Sequence, residues 1–314
     1  MRLAAVLAIF LSIAGCKRAT EPEQDNGFSV SGILVSMKKP ASAQDSDTTY
    51  NIFTMDPRNG NLTRLPVSTQ DFNETNPIFA SGRLFFASDR DGDMDIYSAD
   101  PGTGDITQVF DLPGNQKGPS VSPDGKFLAY HFEEVPGGAT DIGIYDMQSS
   151  NVIKTLGTSG KMDLDPDFVN DSILVLILQD FQGHVSQDIY TYNLNTDQLT
   201  ILENTPSNQN ARPRVSPDGS RIAYLQSDLY LSYSYLLVAD FPDMNNKDTL
   251  MADPNVFVHT IAWSPDGSRI AFSASTGSFQ APISRVYVVD VNTKSISLIY
   301  EGNPGENVLV NDWK

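Results

Sequence analysis

Ser122-Pro123-Asp124-Gly125-Lys126-Phe127-Leu128-Ala129-Tyr130 returns as Ser216-Pro217-Asp218-Gly219-Ser220-Arg221-Ile222-Ala223-Tyr224, and again as Ser264-Pro265-Asp266-Gly267-Ser268-Arg269-Ile270-Ala271-Phe272. Proline presets φ inside a turn, aspartate can bond its own backbone, and glycine takes the positive φ that closes a hairpin. The residues that follow are β-formers with an apolar bias, as a strand leaving a turn requires. A hairpin copied at a fixed period marks one supersecondary unit repeated about an axis.

The period extends beyond the three clear copies. With the turn glycine as marker, Ser172 fills the gap between Gly125 and Gly219, and Gly82 and Gly32 continue the series backwards. The steps are 50, 43, 47, 47 and 48 residues, which makes six units. A second marker runs in phase, a β-rich strand ending in an acid or amide. Its copies end at Asp56, Asp100, Asp146, Asn193, Asp240 and Asp290, and turn residues such as Pro101-Gly102-Thr103-Gly104 follow. A short closing strand, for example Ile106-Thr107-Gln108-Val109-Phe110, completes the unit. Each unit reads as four short antiparallel strands, the content of one propeller blade. The expected fold is all-β, a six-bladed β-propeller of four-stranded antiparallel blades.

The two tryptophans mark the end of the ring. Trp263 precedes the last Ser-Pro-Asp-Gly turn and Trp313 lies fifty residues later, so Asn307 to Trp313 reads as the first strand of a further blade. Pairing of that strand with the unit starting near Ile33 would close the ring and remove exposed sheet edges. The alternative is that Phe28-Ser29-Val30 supplies the missing strand and the tail packs elsewhere.

The run Pro-x-Val-Ser-Pro-Asp-Gly-x-x-Ile-Ala-Tyr from Pro213 to Tyr224 resembles the repeat of TolB-like propellers, and Ser88 to Tyr97 is similar to a strand–turn–strand segment of those repeats. The resemblance covers about residues 28–314. TolB carries an additional α/β domain ahead of its propeller, and the stretch before the first unit is too short for one, so the resemblance is expected to reach the propeller alone. Propellers of this kind serve as binding scaffolds, as accessory domains of peptidases and as some lyases.

Met1-Arg2 and the apolar run Leu3 to Ile13 have the form of an export leader, too short for a stable anchor. The run ends in Ile13-Ala14-Gly15-Cys16, which resembles the lipobox of bacterial lipoproteins. The resemblance implies cleavage after residue 15 and a lipid on Cys16, the sole cysteine. An ordinary cleaved leader or a short anchor helix are the other readings. Residues 16–27 are polar and aperiodic, a flexible tether ahead of a propeller domain spanning 28–314. In the resemblance to Gram-negative lipoproteins an aspartate after the lipidated cysteine favours the inner membrane, so Lys17 in that place implies the outer membrane. The expected location is the bacterial cell envelope.

The formal net charge is −18. Residues 1–15 carry Arg2 as their only charge, so their removal leaves −19. An acidic surface without basic patches argues against nucleic acid as a partner. No Gly-x-Ser-x-Gly, His-Glu-x-x-His or Walker-type loop occurs. The histidines are His131, expected after a strand and facing a neighbouring blade or solvent, His184 in a polar loop, and His259 on an inner strand that could face the channel. Asp89, Asp91, Asp93 and Asp95 crowd a hairpin and suit calcium by spacing, but Gly92 falls at the fourth position and no glutamate closes the loop, so a solvated turn is expected and no cofactor beyond the lipid. Asp163, Asp165 and Asp167 lead into an innermost strand, in register with Lys117 and Arg212. The channel mouth is therefore expected to be edged by Asn76, Lys117, Asp165, Arg212 and His259, the candidate ligand site.

Tyr224, Tyr230, Tyr233 and Tyr235 suit either a binding surface or strand packing. The functional expectation is a monomeric, lipid-anchored module that recognises an envelope protein, peptide or glycan through its loops and channel mouth. A Pal-like partner, as for TolB, is a narrower form of it. The alternative is a metal-assisted polysaccharide lyase or hydrolase acting in the channel.

Overall fold

The computed structural model describes residues 27–40, 48–69, 71–135, 138–157, 161–180, 186–204, 208–228, 234–278 and 281–314. The expected leader, Cys16, the tether up to residue 26, His184, Tyr230 and Tyr233 lie outside the described residues. The ordered elements among the described residues are all strands. None is a helix long and apolar enough to cross a membrane.

The strands follow the repeat. The first unit holds β1 (Ile33–Lys38), β2 (Tyr50–Met55) and β3 (Leu62–Arg64), and the second β4 (Glu74–Ala80), β5 (Arg83–Ser88), β6 (Asp95–Ala99) and β7 (Ile106–Gln108). The third is β8 (Asn115–Val121), β9 (Phe127–Glu133), β10 (Thr140–Asp146) and β11 (Asn151–Leu156). The fourth is β12 (Lys161–Phe168), β13 (Ile173–Asp180), β14 (Ser186–Asn193) and β15 (Gln198–Glu203). The fifth is β16 (Asn208–Val215), β17 (Arg221–Asp228), β18 (Ser234–Asp240) and β19 (Asp248–Met251). The sixth is β20 (Phe257–Trp263), β21 (Arg269–Ser278), β22 (Ala281–Asp290) and β23 (Ile296–Glu301), and β24 (Asn307–Trp313) remains. Within each unit successive strands pair antiparallel, and a single parallel pair, Gln187 with Gln209, joins the fourth unit to the fifth. β24 pairs antiparallel with β1, from Ile33 opposite Trp313 to Lys38 opposite Asn307, so the first sheet runs β24-β1-β2-β3.

The Ser-Pro-Asp-Gly turns form for the reason their residues suggest. Gly125, Gly219 and Gly267 have φ of 73°, 73° and 66°, and each donates its N–H to the serine carbonyl at 2.8–2.9 Å. The serine hydroxyl donates to the turn aspartate at 2.6 Å in all three and accepts the N–H of the residue opening the next strand. The second marker is a turn as well. Asp56, Asp100, Asp146, Asn193 and Asp290 each accept, on Oδ1, the N–H two residues on at 2.8–3.0 Å, which explains why an acid or amide ends that strand. Ser81-Gly82 instead has φ of 50° and 75° at its two central residues, the mirror-image hairpin that matches strand twist.

The core lies between sheets rather than within one. Leu34, Ile52, Leu84 and Phe86 pack the first sheet on the second, and Phe85, Ile96, Leu128 and Tyr130 the second on the third. Further clusters join the third to the fourth, the fourth to the fifth and the fifth to the sixth. A last cluster sets Val286 and Val288 of the sixth against Ile33, Val35, Val310 and Trp313 of the first. The innermost strands touch in the same order, β24 beside β4, β4 beside β8, β8 beside β12, β12 beside β16, β16 beside β20 and β20 beside β24. Tyr224 is fully buried, so the tyrosine run contributes here to packing.

Candidate functional site: the axial cavity

Each innermost strand carries an irregularity in its pairing. The register shifts between Thr75 and Ile78, Lys117 and Ser120, Leu164 and Asp167, Ala211 and Arg214, and Val258 and Thr260. In β24 it shifts opposite Leu34 and Val35, across Asn311. A bulge re-aims a side chain away from the ladder. Four of the bulges put a residue at positive φ just before a proline: Asn76 at 51°, Gly118 at 58°, Asp165 at 51° and Arg212 at 53°. That conformation is uncommon outside glycine, and its recurrence at one level of four strands is a property of the architecture.

These side chains converge. A cavity of about 480 Å³ is lined by Asn76, Lys117, Asp165, Arg212 and His259, the five residues named from the sequence, together with His131. Its remaining wall is divided between apolar side chains, among them Leu164, Ile177, Leu225 and Val258, and the polar Gln187, Gln209, Ser227 and Ser234. It opens at the end of the strands where β4, β8 and β16 begin, away from the Ser-Pro-Asp-Gly turns.

His131 corrects the sequence reading. It lies inside β9, directly opposite Lys117, and lines the cavity instead of following a strand and facing outward. Gly118 makes room for it. A Cβ at 118 would sit 2.6 Å from His131 Cε1 and 2.7 Å from Nδ1, so the bulge position that holds Asn76, Asp165 or Arg212 elsewhere is filled by an imidazole from the second strand. The Nδ1 atom is enclosed without a hydrogen-bond partner. Burial pushes the imidazole down to about 4, aided by Arg212 and Lys117 and opposed by Asp165. The glycine where other repeats carry a polar residue was the available signal, and Lys117, one position before it, was the residue singled out.

Asp165 and Arg212 form an ion pair, and the Arg212 N–H donates to Asp165 Oδ2 at 3.2 Å. Burial alone would raise the Asp165 carboxyl, but the guanidiniums of Arg212 and Arg214 outweigh it and hold the group below its ordinary value. His259 shares its Nε2 with the Ser275 hydroxyl at 2.9 Å and packs on Phe257, and burial, with Arg212 adding, keeps it low. The Lys117 ammonium makes no side-chain hydrogen bond or ion pair to any described residue.

The aspartate run does not assemble into a metal cage. Asp89 accepts both the N–H and the Nδ2 of Asn73 at 2.7 Å, while Asp95 is buried in β6, takes the Gln108 amide at 3.1 Å and is raised by burial to about 6. Asp91 and Asp93 are exposed. Among the described residues no group of three or more His, Cys, Asp or Glu side chains is arranged to hold a metal ion. A second opening of about 460 Å³ lies at the other end of the axis, lined by Asp167, Arg214, Asp312, Trp263 and prolines of the repeated turns.

The structure superposes on TolB from Acinetobacter baumannii with a TM-score of 0.69 at 18% identity, covering 88% of this chain and 65% of that one. The fold is that of a TolB-like propeller. In sequence, the chain is 24% identical over 220 residues to the Tol-Pal system protein TolB of Francisella tularensis subsp. tularensis, a match covering 70% of this chain and 49% of the relative. The chain thus spans about half the length of the curated relatives it matches. No protein-family model matches it. Enzymes share the TolB-like architecture too. A puromycin-hydrolyzing peptidase of Mycobacterium tuberculosis superposes with a TM-score of 0.59 at 15% identity, over 84% of this chain and 44% of that one. An oligogalacturonate lyase from Vibrio parahaemolyticus does so with 0.53 at 14%, over 87% and 75%.

Proposed function

We propose that this protein is a six-bladed propeller ring closed by β24, moored in the cell envelope by a lipid on Cys16, whose axial cavity binds a protein partner. The observation that carries the reading is the convergence of five polar side chains from separate repeats in one cavity, four of them at bulges and Lys117 beside one. The pairing of β24 with β1 and the cluster around Trp313 support closure. The likeness to proteins of the Tol-Pal system supports an envelope setting and a protein partner. Residues 1–15 as leader, 16–27 as tether and 28–314 as a single propeller domain complete the proposal. The turn end of the ring also holds the start of the described chain, where the Phe28 N–H donates to the Pro101 carbonyl at 2.7 Å. A tethered ring would therefore present the cavity at the end opposite its attachment.

The lyase or hydrolase reading has the fold in its favour, while among the described residues no group of three or more His, Cys, Asp or Glu side chains is arranged to hold a metal. Recognition needs a rigid polar mouth and nothing more, and the chain supplies that.

The test is recovery of a partner from detergent-solubilised envelope by the full chain and by Gln209→Trp, which fills the cavity rim. A partner held by the wild type and lost by the variant is the expected result. Equal recovery by both would rule the cavity out, and release of oligosaccharide fragments dependent on added metal would favour the enzyme.

A further inference from the structure

We infer that the axial cavity anchors a carboxylate carried by a polypeptide segment, with the Lys117 ammonium as its counter-ion. The inference rests on the reading of this cavity as the binding site and names the chemistry that fills it.

Charge carries the argument. The chain carries a net charge of −18, yet the cavity lining sets two cations, Lys117 and Arg212, against one carboxylate, Asp165, with the imidazoles of His131 and His259 held neutral by burial. That carboxylate is engaged by Arg212 through both an ion pair and the backbone N–H. Lys117 is left half-buried without a side-chain partner among the described residues, although the chain has 39 acidic side chains in all. An ammonium held partly out of water without a counter-ion is costly, so a resident cation of this kind points to an incoming anion. The enclosed His131 Nδ1, on the residue opposite Lys117, is a second polar atom with no hydrogen-bond partner among the described residues.

The rest of the wall selects the carrier. Leu164, Ile177, Leu225 and Val258 offer aliphatic surface, and Phe257, the aromatic on the lining, has its ring tilted 53° against His259. A sugar could pair its hydroxyls with Gln187, Gln209, Ser227 and Ser234, but it has little apolar surface to set against the Leu164, Ile177, Leu225, Phe257 and Val258 half of the lining. A peptide that places an acidic group next to an apolar side chain matches both halves of the lining.

The test is selection of a randomised hexapeptide display library on the immobilised full chain, followed by titration of the enriched peptides. Enriched sequences should carry Asp or Glu beside an apolar residue. Their affinity should fall at least tenfold in Lys117→Gln, return in Lys117→Arg, and weaken with rising salt. No enrichment, or enrichment without acid preference, overturns the inference. If peptides without acid preference are still lost in Gln209→Trp, the anchor fails while the cavity remains the binding site. If enriched peptides ignore Gln209→Trp, the cavity reading itself fails. Displacement of the peptides by inorganic phosphate or tri-galacturonate at equal or lower concentration overturns the polypeptide assignment in favour of a free anion or an acidic glycan.

Discussion

At the scale of single residues, the site depends on a pairing of absence and presence. Gly118 lacks the Cβ that would collide with the His131 ring, and the ring in turn sits where burial keeps it neutral. A cation whose folded value is depressed takes its proton first in the unfolded chain. Its contribution to stability is therefore intact above the unfolded value of 6.5 and is lost as pH falls toward about 4. Urea midpoints at pH 7 and pH 4.5 for wild type and His131→Gln should show this, with the wild type losing on the order of 2 kcal/mol more than the variant. Equal losses would mean that His131 is hydrated in the folded state.

At the scale of the element, the repeated turn is a small hydrogen-bonded device rather than a flexible corner. In the fifth unit the Ser216 hydroxyl donates to Asp218 at 2.6 Å and accepts the Arg221 N–H at 3.0 Å, while Asp218 accepts the Ser220 N–H at 3.1 Å. The same contacts hold Asp218 and Asp266 down to about 2, hydrogen bonds from their serines being the main cause. Ser216→Ala should cost roughly 1 kcal/mol, as one intramolecular hydrogen-bond set is lost at a buried serine whose aspartate partner stays open to water. Because the three turns sit in different units, Ser122→Ala, Ser216→Ala and Ser264→Ala should add, giving about 3 kcal/mol in the triple variant. A triple variant much weaker than that sum would show that the turns communicate.

At the scale of the whole molecule, the first sheet is assembled from both ends of the described chain. Val308, Val310 and Trp313 are buried against it, Asn311 accepts from Ser36, and Asp312 accepts the Phe79 N–H of the next sheet at 2.8 Å. Removing the chain after Gly302 forfeits all of these at once. Three buried side chains of this size are together worth roughly 6 kcal/mol, a large share of the total stability of a domain. The melting temperature should fall by roughly 10 °C or more. An unchanged melting temperature would mean that β24 does not hold the ring together.

What the amino-acid sequence determined by itself was everything local. Turn chemistry, strand period and the phase of the two markers follow from proline, aspartate and glycine at short range, and they predicted the strand order unit by unit. The polar residues of the cavity were legible for the same reason, since equal spacing from equal turns puts equal positions at one level of the axis. Only the tertiary structure decided what meets across repeats. His131 came into the cavity because a missing side chain in a neighbouring strand left space, and Asp89 and Asp95, each two residues from its nearest acidic neighbour, were drawn to separate partners, Asn73 and Gln108. Contacts of that kind depend on which side chains face each other after the sheets pack, and spacing along one strand carries no record of the strand packed against it.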